Sequence, residues 1–155
     1  MSIHARGASV PEETADMGNT SFTTKAVFGN SSSLLVATRP AGYHSRPHHH
    51  DCEQLNWLRD GELWVFVADR AFHLEAGDFL RIPVGAVHWS WNRSGAPCTL
   101  LEVHTPGLQD DPLIKRFAVG LHDAHETPEL LGSPVNEFLP EDAAFDMSIA
   151  ERHVR

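Results

Sequence analysis

From Ser21 onward, apolar and polar residues alternate over short stretches that end in turn formers. Phe22–Phe28, Ser33–Thr38, Glu53–Leu58, Leu63–Val67, Ala71–Leu74, Phe79–Ile82, His88–Trp91 and Thr99–His104 each read as a strand. Between them lie Gly29-Asn30, Pro40 to Gly42, Asp60-Gly61, Asp69-Arg70, Gly77-Asp78 and Ser94 to Pro97. Helical periodicity is almost missing from this region, so the pattern predicts an all-β sandwich or barrel over residues 19–108. The flanks have a different texture. Residues 1–18 are small and polar, and read as a flexible arm or as a strand ordered only by a partner. Residues 109–155 read as an extension packing on the barrel. In it, Pro112–Leu121 fits a short helix or an irregular strand. Pro140–Arg152 fits a helix, with Pro140 at its first position and Glu141 and Asp142 in its first turn.

A chain of 155 residues suits one domain with a real core. Its 12 Lys+Arg against 21 Asp+Glu give a net charge of −9, and Lys25 and Lys115 are its only lysines. Nucleic acid and anionic membrane both require a basic face, so neither is an expected partner. Cys52 and Cys98 are too few for the disulfide framework of a small secreted domain. The first residues lack the apolar stretch of a signal peptide, and no apolar run approaches a membrane span. A soluble cytoplasmic protein is the expectation. The composition is unusual in its 11 histidines, three of them consecutive at His48, His49 and His50.

His48 and His50 are one residue apart, so on a strand their imidazoles share a face, and His49 points the other way. His88 follows a Pro83-Val84-Gly85 turn far along the chain. Three such nitrogens from neighbouring strands could converge inside a barrel, and imidazole is the commonest transition-metal ligand at neutral pH. The bland alternative is a surface histidine tract with a structural His88.

Glycines frame these histidines. The first segment reads Gly42-x5-His48-x-His50-x3-Gln54-x6-Gly61, and the second reads Gly77-x5-Pro83-x-Gly85-x2-His88-x3-Asn92. This pair of motifs resembles those of the cupin superfamily. The second is matched throughout, and the first departs only where Gln54 stands in place of the usual glutamate. The resemblance implies a jelly-roll β-barrel and one divalent transition-metal ion (Fe, Zn, Ni or Mn) on His48, His50, Gln54 and His88. It also implies a homodimer. Glu53 is the adjacent alternative to Gln54. The motif spacing and the strand parity favour Gln54, because a one-residue slip would turn Glu53 to the other face. A neutral amide ligand leaves the ion its full positive field, which suits Lewis-acid chemistry on a substrate chelating through oxygen.

Other positions follow from parity. Glu102 and His104 share one face of their strand, where an acid amid apolar residues is costly unless paired or functional, so either is a candidate general acid/base. If that face is external, both are merely solvated. Asn56 shares parity with Gln54 and reads as a substrate-orienting amide or a structural hydrogen bond. Arg46 is the one cation near the expected mouth, either a substrate anchor or a solvated loop charge. Phe66 and Trp64 share parity and are candidates to line the pocket. Trp89 and Trp91 alternate with His88 and so face away from the metal, toward the second sheet, a dimer partner or the C-terminal segment. Ser90 and Asn92 share the His88 face. Cys52 reads as a small buried residue, though a thiol ligand there would favour zinc or copper(I).

The run Glu53–Leu63 and the segment Leu101–Pro106 look like the corresponding parts of cupins resembling the pectin-degradation protein and the polyketide cyclases. That resemblance implies a non-redox conversion (lyase, isomerase or cyclase) of a small oxygenated molecule. An arginine of the uronate-processing relatives is absent, with Leu108 near its place. A cupin Fe(II) dioxygenase ranks second, and a non-catalytic barrel binding a small ligand ranks third.

Overall fold

The computed structural model describes residues 2–122, 134–140 and 146–154. In chain order its strands are β1 (Glu13–Asp16), β2 (Ser21–Phe28), β3 (Ser33–Arg39), β4 (His48–His49), β5 (Glu53–Asp60), β6 (Glu62–Val67), β7 (Arg70–Glu75), β8 (Phe79–Ile82), β9 (His88–Trp91), β10 (Cys98–Thr105), β11 (Val119–Gly120) and β12 (Glu137–Phe138). One short helix, α1 (Met147–Glu151), follows. The first sheet runs β1-β2-β3-β10-β5-β8, with β11 added parallel to β2, and the second runs β12-β4-β9-β6-β7. All other pairings are antiparallel, so the all-β jelly roll expected from the alternating pattern is the fold observed.

Period-two alternation sets which face is inside. On β3, Ser33, Leu35, Ala37 and Arg39 are buried while Leu34, Val36 and Thr38 are half-buried. Leu58, Leu63, Val65, Leu74, Ile82 and Leu100 meet between the sheets in one cluster. Burial of each contributes about 1.5–3 kcal/mol. A second cluster lies on the outer face of β6 and β9, where Phe66 and Trp89 stack 5.0 Å apart beneath Ala150 and Val154. Trp89 Nε1 donates to Glu151 Oε1 at 2.8 Å, which ties α1 to that face. Trp89 therefore faces away from the histidines, as its parity implies. None of the helices among the described residues is long and apolar enough to cross a membrane.

Two flanking segments differ from the sequence expectation. Part of the region read as an arm is β1, paired within the chain to β2, with Ala15 and Met17 buried. Arg116 donates to Thr14 O and Lys25 to Gly7 O, which holds the segment down. Only Ala15 of the four strand residues is buried, so a polar edge strand of this length leaves almost no hydrophobic period to detect. At the other end, α1 starts at Met147. Asp146 is its cap, accepting from Ser148 N at 2.9 Å. Pro140 is non-helical, and the expected first turn at Glu141 and Asp142 lies outside the described residues. Pro112–Phe117 forms turns anchored on Asp111 and Ile114, and β11 follows.

The motif glycines at 42, 61, 77 and 85 all have positive φ, between 71° and 101°. At Gly61 a second constraint applies, because a Cβ there would sit 2.7 Å from Cys98 Cβ. Gly85 has φ +71° and open space around it. Replacement of Gly85 by Ala should therefore cost only the backbone strain, about 1–2 kcal/mol. Gly61→Ala adds an overpacked contact and should cost about 3 kcal/mol or more. Urea unfolding of both variants tests this, and equal losses would contradict the close approach to Cys98.

Candidate metal centre

The imidazoles of His48, His50 and His88 come together at one end of the barrel. His48 on β4 pairs directly with His88 on β9, and His50 follows in the turn that leads into β5. Their ring centroids are 4.3 Å (His48–His88), 4.8 Å (His50–His88) and 6.1 Å (His48–His50) apart. One nitrogen from each lies within 4.8 Å of the others, an arrangement able to hold a metal ion.

Each ring is held by the same device. Nδ1 faces a backbone carbonyl two residues away: Arg46 O at 3.0 Å for His48, Cys52 O at 3.2 Å for His50 and Ala86 O at 2.8 Å for His88. A carbonyl only accepts, so Nδ1 carries the proton in each ring and Nε2 is left with its lone pair. Burial, with the neighbouring imidazoles adding to it, holds His88 well below the ordinary histidine value. Burial lowers His48 to about 4 and also lowers His50. At neutral pH all three rings are uncharged donors to a metal.

The donor set fits a cation in two further ways. His88 Nε2 is buried and has no hydrogen-bond partner. Gln54 Oε1 lies 3.1 Å from His50 Nε2, while Gln54 Nε2 donates to Asn56 Oδ1 at 2.8 Å. With the amide oriented by Asn56 and the ring proton on Nδ1, two lone pairs face each other, a repulsive contact unless a positive ion lies against both. Two donors each about 2.1 Å from one ion stand roughly 3 Å apart at a right angle. Glu53 points to the opposite face, half-buried and ion-paired with Arg81. Cys52 is buried with its thiol pushed up to about 12, first by desolvation and then by Asp51, so it remains a thiol. Its Sγ sits 3.0 Å from Nδ1 of His50, the side away from the converging nitrogens.

Residues 34–104 match the family model described as a cupin domain. This central stretch is cupin-like. Both glycine-framed motifs fall inside the matched stretch, and the metal-capable cluster is built from them. Among solved structures, an RmlC-like cupin from Shewanella frigidimarina NCIMB 400 is 20% identical over 68% of this chain and 92% of its own, with a TM-score of 0.59. A sugar phosphate isomerase from a cupin superfamily, from Silicibacter pomeroyi DSS-3, is 17% identical over 66% and 74%, with a TM-score of 0.57. The polyketide cyclase RemF from Streptomyces resistomycificus is 18% identical over 66% and 78%, with a TM-score of 0.56. At these identities the likeness establishes the fold. No curated protein matches the chain.

The barrel encloses a cavity of about 50 Å³, several times the 10–15 Å³ or so that admits one water. Strand register stacks its polar lining in layers. His104 on β10 lies opposite Gln54 on β5, and Glu102 lies opposite Asn56. All four are buried and face inward, so the Glu102–His104 face is internal. His104 sits 5.5 Å from the His50 ring, and its Nδ1 is buried without a partner. Burial, reinforced by His50 and His48, holds it well below the ordinary histidine value. Ser90 also lines the cavity. Asn92 instead caps the corner behind it, donating to the carbonyls of Arg39, Pro40 and Ala96.

Two expected pocket residues lie elsewhere. Phe66 is fully buried, but on the outer face against Trp89 and α1, and Trp64 shares that side. The strand's opposite parity, Leu63 and Val65, lines the cavity. The parity of β6 is fixed by α1 covering its other face, a cover that the barrel pattern does not reveal. Arg46 is a strut, not an anchor in the cavity. Its Nη2 donates to Leu139 O at 2.8 Å, and its guanidinium lies 5.5 Å from the Phe138 ring centroid. The cation inside the cavity is Arg39, on the inward register of β3 and ion-paired with Glu102. Sequence reasoning missed it, although Ser33, Leu35, Ala37 and Arg39 share one face and a buried Glu102 requires a partner.

The buried neutral rings make the metal-free protein acid-sensitive. The unfolded chain binds their protons near 6.5, whereas folded His48 does so only near 4, so stability is complete above pH 6.5 and falls as pH drops toward 4. His48 alone contributes on the order of 3 kcal/mol to that loss, and His50, His88 and His104 act in the same direction. Urea midpoints of chelator-treated protein across this window should fall steadily, and a flat profile would contradict uncharged rings.

Proposed function

We propose that this cupin barrel is an enzyme that holds one divalent transition-metal ion on His48, His50, His88 and Gln54. Its reaction is a non-redox conversion (lyase, isomerase or cyclase) of a small oxygenated molecule. The observation that carries the reading is the convergence of unprotonated acceptors: three imidazole Nε2 atoms and an amide oxygen, one of them buried without any donor. The ion would supply Lewis acidity to a chelating hydroxyl, carbonyl or enolate oxygen, undiminished because all four protein donors are neutral.

The remaining roles belong to side chains around the cavity. Asn56 fixes the Gln54 amide, so it orients a ligand in preference to substrate. His104 is the proton carrier, because its Nδ1 faces no protein group and its ring is neutral at neutral pH. Glu102 was an equal candidate by parity, but its carboxylate is engaged by Arg39, which makes it a positioning residue. The chain also pairs with a second copy in this reading, through the outer face where Leu55 and Phe79 are 48% and 78% exposed.

Metal analysis by mass spectrometry on protein purified without added metal tests the assignment. Near-stoichiometric zinc, nickel or manganese, lost in His50→Ala and His88→Ala variants that still fold, supports it. Iron accompanied by oxygen uptake would shift the reading to a cupin dioxygenase, and no bound metal would leave a ligand-binding barrel. Light scattering on the same preparation should give twice the 17.2 kDa chain mass, and a monomer would remove the pairing.

A further inference from the structure

Arg39 is an anomaly for a purely structural residue. It is 6% exposed, and only its Nη2 has a hydrogen-bond partner, the Glu102 carboxylate. Its Nε and Nη1 are buried without one. The guanidinium lies over Phe22, 3.9 Å from the ring centroid, and 4.9 Å from that of Tyr43. Those rings contact its faces, whereas guanidinium N–H groups project in the plane, so the ring contacts leave two donors unused. Orphaned charged donors are costly inside a protein, and they persist where a ligand completes them. Arg39, Glu102, His104 and Gln54 all line the same cavity.

We propose that Arg39 is the substrate anchor and that one of its unused donors, Nε or Nη1, receives a carboxylate oxygen. The substrate is then a short-chain organic acid whose second oxygen, a hydroxyl or carbonyl, faces the imidazole cluster. This deepens the metal-centre reading and rests on it for the second oxygen only. Charge supports an anion. Glu102 cancels Arg39, and His48, His50, His88 and Gln54 bring no negative charge, so nothing in the cavity offsets a divalent ion except the ligand. Distance supports a two-ended molecule. Glu102 and His104 are two residues apart on β10, roughly 7 Å along the strand, so the anchor and the metal cluster are one layer apart. A charge-assisted hydrogen bond from a fixed guanidinium cation favours a carboxylate oxygen over a lone hydroxyl.

The test is isothermal titration of the protein as isolated with 3-hydroxybutyrate, 4-hydroxybutyrate and 4-oxopentanoate, each beside its uncharged primary amide. At least one acid should bind tenfold or more tighter than its amide. That preference should vanish in Arg39→Gln, while metal content and thermal midpoint are followed on the same samples. Because Arg39→Gln strands Glu102 and could unfold the protein, the double variant R39Q/E102Q, which removes both charges at nearly constant shape, provides the second arm. Loss of acid preference with metal retained and folding intact supports the anchor, since a merely structural Arg39 would not move the acid-to-amide ratio. Acids and amides binding alike, acid preference surviving in the folded double variant, or no acid binding to metal-loaded protein would each overturn it. If the protein holds no metal yet prefers acids through Arg39, the anchor stands and the metal-centre reading fails.

Discussion

The site depends on three hydrogen bonds of one kind, each running from an imidazole Nδ1–H to a backbone carbonyl two residues away. Arg46, Cys52 and Ala86 supply those carbonyls, so the orientation of His48, His50 and His88 is fixed by local chain geometry and needs no distant side chain. The same bonds select the tautomer that leaves each Nε2 basic. The jelly roll then brings β4 beside β9 and β10 beside β5, which converts local order into a cluster. Burial completes the arrangement by keeping the rings uncharged, at the cost of acid stability in the metal-free state.

Below the cluster the cavity changes character layer by layer. Gln54 and His104 form the layer beside the imidazoles, Asn56 and Glu102 the next, and Leu58 and Leu100 the apolar floor. Arg39 reaches back from the end of β3 to Glu102, so the second layer holds a full ion pair beside an apolar core that includes Phe22, Tyr43, Leu58 and Leu100. Such a pair gives little net stability against apolar replacements of equal volume. Its retention, with two donors unused, is most simply explained by a ligand.

The fold was legible because most of its barrel strands bury one face, which makes the period-two pattern and the turn glycines strong signals. The strands that the alternating pattern marks weakly or not at all are β1, β4, β11 and β12, none longer than four residues; β11 lies in the segment that fits a short helix or an irregular strand. The metal-capable histidines were legible through motif spacing, and Gln54 through parity, since Glu53 does face solvent. Phe66 and Arg46 were misplaced for one physical reason: each is claimed by the C-terminal extension. α1 covers Phe66, and the Leu139 carbonyl with the Phe138 ring captures Arg46. Parity along one strand says which residues share a face, but not which face a remote segment covers. Arg39 was hidden because it closes an apolar strand pattern at a corner, where a charged residue normally marks the surface.

The central claim is that unprotonated Nε2 atoms and the Gln54 oxygen converge on one ion. Anomalous X-ray diffraction from crystals of the protein as isolated, collected on either side of the absorption edge of the metal found, tests it most directly. The account predicts a single anomalous peak about 2.0–2.3 Å from Nε2 of His48, His50 and His88 and near Oε1 of Gln54. A peak bound through Nδ1, beside Cys52 Sγ or outside the barrel, with the three Nε2 atoms left without an ion, would contradict it.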